Sequence, residues 1–134
     1  MGRRKLTYLL DTHTLLWALT DPTHLGHQAR AVIEDRSSRL TVSAVSAWEL
    51  STKHRLGKLP QADALLGAYS RHLSRLGVIR LPVDEEHALL AGRLEWEHRD
   101  PFDRMLAAQA MVESLMLITG DASFDDCQGV RTLW

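Results

Sequence analysis

Short apolar runs alternate with longer amphipathic stretches along the chain, and the alternation predicts strands followed by helices. Thr7-Tyr8-Leu9-Leu10 predicts a buried strand ending at Asp11. His13 to Leu19 predicts a helix stopped near Asp21-Pro22, and Gly26 to Asp35 a second helix. Leu40-Thr41-Val42 predicts the next strand. Ser43 or Ser46 can cap a helix that runs to Leu56, where Gly57 ends it. Ala62 to Leu76 predicts one continuous helix closed by Gly77, and Val78 to Leu81 a strand. Asp84 caps a helix reaching Trp96, and Asp100 caps another, with Pro101 at its first position, reaching Ser114. Leu115 to Ile118 predicts a strand, and a last short one falls near Val130 to Leu133. Strands alternating with helices imply an α/β fold whose central parallel sheet has helices on both faces. In such sheets ligands bind at the carboxyl ends of the strands, so chemistry is sought there.

Composition adds bounds. At 134 residues, 45% apolar and 25% charged, the chain reads as one globular domain over residues 1–134. Cys127 has no second cysteine to pair with, so a reducing, cytoplasmic setting is the expectation and the thiol reads as apolar filler or an incidental surface group. Arg3, Arg4 and Lys5 could head a signal peptide, but Asp11 and His13 interrupt the apolar run behind them. No stretch approaches the ~20 apolar residues that span a bilayer. Met1-Gly2 fails the myristoylation pattern, because Leu6 stands where Ser or Thr is required. Residues 1–6 read as a flexible N-terminal extension.

Net charge is −1, which does not suit a generic polyanion binder, but the charge is unevenly spread. Thr52 to Arg80 carries six Lys/Arg against one Asp, and Asp84 to Asp126 carries eleven acids against three Arg. Such a pair of segments suits a protein that grips phosphates and holds cations. It suits two solvated faces equally well.

Four acids stand out within that pattern. Asp11 and Asp121 follow strands, where a lone Asp is often a cap or a turn residue. Glu49 falls inside a helix face formed by Val45, Trp48, Thr52 and Leu56, and a buried carboxylate is costly unless paired or bound to a cation. The plain alternative for Glu49 is a surface pair with Lys53. Asp103 shares a face with Leu106, Ala107 and Ala110, whereas Asp100 reads as the cap. The plain alternative for Asp103 is an acid favoured in a first helical turn. Four inward-facing acids need a positive charge between them, and Mg²⁺ or Mn²⁺ suits carboxylates best. Such ions polarise phosphates and activate water. His24 and His27 read as surface residues rather than zinc ligands. No phosphate-binding loop, dinucleotide turn or nucleophile elbow is present. A phosphoacceptor receiver would need a late lysine, and the last here is Lys58.

Leu9-Leu10-Asp11-Thr12-His13, Ser46-Ala47-Trp48-Glu49-Leu50, His98-Arg99-Asp100-Pro101-Phe102-Asp103-Arg104 and Ile118-Thr119-Gly120-Asp121 with Phe124 resemble, in order and separation, the motifs of PIN-domain proteins of the VapC toxin type. The resemblance runs from Tyr8 to Trp134. Gly120 and the Met1 to Lys5 extension are small departures. It implies a PIN-like fold and a metal-dependent endoribonuclease whose metal-site acids are Asp11, Glu49, Asp103 and Asp121. It also implies Thr119 and Asp125 as auxiliary groups. RNA such as tRNA or ribosomal RNA is the implied substrate. A homodimer and a small antitoxin are the implied partners, with DNA reached only through the antitoxin and no membrane involved. Lys53, Arg55, Lys58 and Arg104 are candidates for phosphate contacts, each with a solvated surface role as the alternative. Trp17, Trp48 and Trp96 could stack bases, but core packing is the expectation for all three; Trp134 is open. The rival readings are a nuclease of RNA maturation or of DNA, a PIN domain that only binds, and an α/β domain whose acids are caps and surface pairs.

Overall fold

The computed structural model describes residues 6–134. Five parallel strands, β1 (Thr7–Leu10), β2 (Arg39–Ser43), β3 (Ile79–Leu81), β4 (Met116–Ile118) and β5 (Thr132–Leu133), form one sheet in the order β3-β2-β1-β4-β5. Between them run α1 (Thr12–Thr20), α2 (His27–Glu34), α3 (Ala44–Arg55), α4 (Asp63–Gly67), α5 (Tyr69–Leu76), α6 (Glu85–Arg93) and α7 (Pro101–Val112). The central strands β1 and β4 are mostly apolar because both sheet faces are covered there. Leu10, Val42 and Ile118 lie in register and pack against Leu15 and Leu16 of α1, Ala29 of α2, Leu65 of α4 and Leu73 of α5. Leu9 and Leu117, one residue out of phase, pack on the other face against Leu106, Ala107 and Ala110 of α7, with Phe124 and Cys127. Cys127 is therefore core filler, and burial pushes its thiol pKa up.

Strand order reverses direction at β1, whose neighbours β2 and β4 lead to opposite edges. The crevice beyond the carboxyl ends of β1 and β4 is thus a topological switch point, the place where such sheets bind ligands.

Two predicted helices are shorter than expected. Ala62 to Leu76 is broken into α4 and α5 at Ala68, whose φ of −143° and ψ of 38° leave the helical region. Gly67, a poor helix former, precedes the break, and Leu65 and Leu73 on either side reach the same core. The helix from Asp84 stops at Arg93 instead of Trp96, because Leu94 turns extended. The carbonyls of Leu94, Trp96 and His98 are taken by the Arg104 guanidinium instead of by helical N–H groups.

A buried polar tie joins α6 to α7. Asp84 and His87 form a capping box, and His87 Nε2 meets Glu113 Oε2 at 2.9 Å. Among the described residues no helix is long and apolar enough to cross a membrane. Met1 to Lys5, which carry the charged lead, the Met1-Gly2 reading and most of the extension, lie outside the described residues. Leu6, the remainder of the extension, is exposed.

Candidate active site

The crevice has two walls. The first is built from strand ends. Asp11 follows β1 and caps α1: its Oδ1 accepts from the Thr14 N–H at 2.7 Å, and its Oδ2 accepts from the Thr119 hydroxyl. It is 6% exposed, and burial raises its pKa against the pull of the Thr119 and Thr14 hydrogen bonds. Thr119 follows β4, and its hydroxyl also accepts from the Asp121 N–H at 3.0 Å. Asp121 itself is exposed, not inward-facing as expected. Its Oδ1 caps the short 3-10 turn Ala122–Asp126 by accepting from the Ser123 N–H and hydroxyl. Partial burial would raise its pKa, but the Ser123 hydrogen bonds and the nearness of His98 and His13 carry it below the usual range. Asp125 is exposed in the same turn.

The second wall is built from helices. Glu49 on α3 is 2% exposed, and one oxygen each of Glu49, Asp100 and Asp103 lie within 4.8 Å of one another. Lys53, one turn on, donates to Glu49 Oε2, whereas the buried Oε1 has no hydrogen-bond partner among the described residues. Both sequence readings of Glu49 thus hold in part: the pair with Lys53 forms, but its acidic end is in the interior. The face that buries it differs from the expected one. Val45, Ser46, Glu49 and Leu50 point inward, while Trp48 and Leu56 are 59% and 52% exposed. Ser46 turns the helix this way by sharing a buried 3.0 Å hydrogen bond with Thr12 of α1.

Asp103 is inward-facing, with its side chain 16% exposed. Burial first, and then the like charges of Asp100 and Glu49, push its pKa up to about 6 despite a hydrogen bond with His98. Burial alone would lower the Lys53 ammonium pKa. The hydrogen bond and charge of Glu49, with Asp100 and Asp103 beyond, outweigh this and hold it above its ordinary value.

Two residues of this wall escaped the sequence reading. Asp100 does cap α7, its Oδ1 accepting from the N–H groups of Phe102 and Asp103, but it also joins the acid cluster. His98 Nε2 lies 2.7 Å from Asp103 Oδ2. Its place in the His98 to Arg104 block was the available signal.

Arg104 is not free to bind phosphate. Its guanidinium donates to the carbonyls of Ala91, Leu94, Trp96 and His98 at 2.7 to 3.0 Å. It fastens the irregular stretch 94–99 onto α7 and so sets His98 against Asp103. Lys53 is committed to Glu49, while Arg55 and Lys58 are exposed at the end of α3. Trp48 is not core: it stands edge-on to Phe102, ring centres 4.7 Å apart. Trp96 packs on Phe124 as expected, and Trp17, half-buried, stacks on His24. His24 and His27 are exposed.

Every donor in the acid cluster is a carboxylate oxygen, which suits a hard divalent cation. A buried carboxylate oxygen with no partner is costly as it stands and is answered by a cation. The residues of the second wall therefore fit Mg²⁺ or Mn²⁺. Asp11 and Asp121 are not part of that cluster; they follow β1 and β4 and line a separate cleft with His13, Trp17 and Trp134.

Known proteins resemble this chain in sequence and in fold. The ribonuclease VapC16 of Mycobacterium tuberculosis is 34% identical over 61 residues, which make up 46% of this chain and 43% of that protein, so the match spans less than half of the relative. VapBC2 from Rickettsia felis, solved bound to a DNA fragment from its promoter, superposes with a TM-score of 0.66 at 14% identity over 96% of this chain and 98% of that one. FitAcB from Neisseria gonorrhoeae superposes with a TM-score of 0.65 at 25% identity, covering 96% and 97% of the two chains. The PIN domain family model matches residues 8–129, from β1 to beyond the turn that Asp121 caps, so both walls of the crevice fall within it and the chain belongs to the PIN domain family.

Proposed function

We propose that this chain is an endoribonuclease toxin that hydrolyses RNA phosphodiester bonds with bound Mg²⁺ or Mn²⁺ and is silenced by a small antitoxin. The observation that carries the reading is Glu49: a carboxylate 2% exposed, one oxygen without a partner, set within 4.8 Å of two further acids. Glu49 and Asp103 hold the cation from the helix wall, with Asp100 beside them. Asp11 and Asp121, at the strand ends, complete the proposed set of acids. The ion, when bound, supplies the positive charge that polarises a phosphodiester and makes water a better nucleophile.

The chain's own residues prepare the site for this. Thr119 and the Thr14 N–H hold the Asp11 carboxylate in one orientation. His98 holds Asp103 in the same way from the other wall. Arg55 and Lys58, exposed at the end of α3, are placed to meet RNA phosphates outside the acid cluster. Ribonuclease activity in a relative that matches part of this chain supports the substrate class. The motif resemblance supports tRNA or ribosomal RNA as the target, an antitoxin as partner, a homodimer as the working form and a cytoplasmic location.

The test uses antitoxin-free protein and total cellular RNA, with Mg²⁺ or with EDTA, beside an Asp11→Asn control. Discrete fragments that require both the ion and Asp11 are the expected result. Full cleavage in EDTA, or by Asp11→Asn, sinks the proposal.

A further inference from the structure

Asp11 and Asp121 line a cleft of about 340 Å³ together with His13, Trp17, Gly120 and Trp134. Its most telling feature is how Trp134 is seated. A Cβ at Gly120 would lie 2.7 Å from Cε2 and 3.1 Å from Cδ2 of the indole, the two atoms of its fused bond, so Gly120 meets the face of the ring and not its edge. A Cβ at Gly26 would lie 2.5 Å from Cδ1 and 2.7 Å from Cγ of the same ring, and 2.6 Å from the carbonyl carbon of Trp134. Only glycine at both positions lets the indole lie where it does. The residue is nonetheless 36% exposed and lines the cleft, so it is packed against two glycines and still reachable from the cleft. Trp17 is held too, stacked on His24 with ring centres 4.2 Å apart.

A rigidly seated, open aromatic ring beside a phosphodiester-cleaving site is what base stacking requires. The cleft is at the small end of ligand pockets, with room for one planar group and not for a folded peptide. The carboxylates of Asp11 and Asp121 at its margin repel a phosphate, so the part of a nucleotide that enters is the uncharged base. Resting on the ribonuclease reading above, we infer that this cleft is a nucleobase subsite: it takes one unstacked base of a single-stranded RNA segment, stacked on the open face of Trp134, next to the phosphate that is cut. Glycine at 26 and 120 leaves the room in which Trp134 sits. The enzyme then cuts only where a base can leave its helix, as in loops and bulges.

The test is a binding cycle in a cleavage-silenced background. Glu49→Gln protein, with Mn²⁺, is titrated into a fluorescein-labelled oligoribonucleotide that the wild type cuts, and into the same oligonucleotide made abasic on either side of the cut. One of the abasic changes is expected to weaken binding roughly 5- to 150-fold, the worth of one base stacked on an aromatic ring. Adding Trp134→Leu weakens the intact RNA by a similar factor and removes the sensitivity to the abasic change. Trp134→Phe, which keeps a ring, restores part of it and covers the case in which the leucine variant folds badly. Equal abasic penalties with and without the Trp134 ring overturn the subsite while leaving the nuclease standing. So does loss of antitoxin binding with RNA binding intact, which would assign the cleft to a peptide side chain. A wild type that neither cuts nor binds RNA overturns the ribonuclease reading, and the subsite with it.

Discussion

Lys53→Met tests the charge balance of the helix wall. Glu49 is 2% exposed and its one partner is the Lys53 ammonium, so the variant leaves a buried carboxylate without compensation. Breaking one side of a buried ion pair costs about 3–5 kcal/mol. The lower end applies here, because the Lys53 side chain is 25% exposed and the carboxylate can escape part of the cost by taking up a proton. About 3 kcal/mol corresponds to a fall of roughly 10 °C in Tm for a domain of this size. A divalent cation is expected to reverse the loss, because it supplies the charge that the lysine no longer does. Saturating Mn²⁺, at about 100 times its Kd, stabilises by about 2.7 kcal/mol in any case. The variant should gain more than the wild type, since the ion no longer displaces an ammonium from Glu49. The assay is thermal melting of wild type, Lys53→Arg and Lys53→Met, each with EDTA and with Mn²⁺. A Lys53→Met protein that melts within about 2 °C of the wild type in EDTA, or gains no more than the wild type from Mn²⁺, refutes the reasoning, since that is a change of only ~0.5 kcal/mol in a domain of this size.

Asp100→Asn separates the two roles of that residue. Asn caps a helix as well as Asp does, so Tm in EDTA should hold while Mn²⁺ affinity falls about tenfold, read by calorimetry; unchanged affinity would make Asp100 a cap only. Arg104→Lys keeps a charge but cannot span four carbonyls with one ammonium. A loss of about 2–3 kcal/mol by denaturant melting is expected, together with weaker metal binding as His98 comes loose from Asp103. For pH, Asp103 has a pKa raised to about 6, so its anion is disfavoured in the metal-free fold. Its cost to the metal-free protein is full above pH 6 and is relieved as pH falls toward its unfolded value near 4. Cation binding needs the anion, so Mn²⁺ affinity should fall as pH drops from 7 to 5, with proton uptake on release. An affinity flat across that range would contradict this. Finally, Asp11 has both oxygens hydrogen-bonded and Glu49 does not, so Glu49→Gln should weaken Mn²⁺ binding more than Asp11→Asn, although both variants should abolish RNA cleavage.

Asp11 was legible because an apolar run that stops at Asp marks its own carboxyl end, whereas Thr119 came only from the motif resemblance. Glu49 was legible as buried, but for a partly wrong reason. Reading Trp48 and Leu56 as inward follows from counting tryptophan and leucine as apolar and serine as polar. The fold does the reverse, since the Ser46 hydroxyl has a buried partner in Thr12 and can go inside, while Trp48 needs only the edge of Phe102. Arg104 was illegible for a related reason. Its four carbonyl partners lie 6 to 13 residues back along the chain, one in the last turns of α6 and three in the irregular stretch after it. Periodicity registers which side chains face the core, and it is blind to a cation that holds backbone together. The exposure of Asp121 was hidden likewise, because a cap residue and an inward acid look the same after a strand.

The two walls differ in how finished they are without an ion, and that difference bears on how the site works. On the strand wall Asp11 is answered by a hydroxyl and an N–H, and Asp121 by Ser123, so each carboxylate is oriented by the chain itself, although burial still raises the pKa of Asp11. On the helix wall Asp103 is held short of full ionisation and Glu49 leans on a lysine with one oxygen unanswered. Like charges kept close in the interior are a stored cost, and a cation that enters between them releases it. Affinity for the ion is therefore a property of α3 and α7, while the strand wall presents preset acceptors toward the same crevice. Helix wall and strand wall meet through Thr12 and Ser46, and through His98, which touches Asp103 and acts on Asp121. A site divided this way can bind its cation and hold its geometry by separate sets of residues, which is why a change at Lys53 or Asp100 should move affinity without moving Asp11.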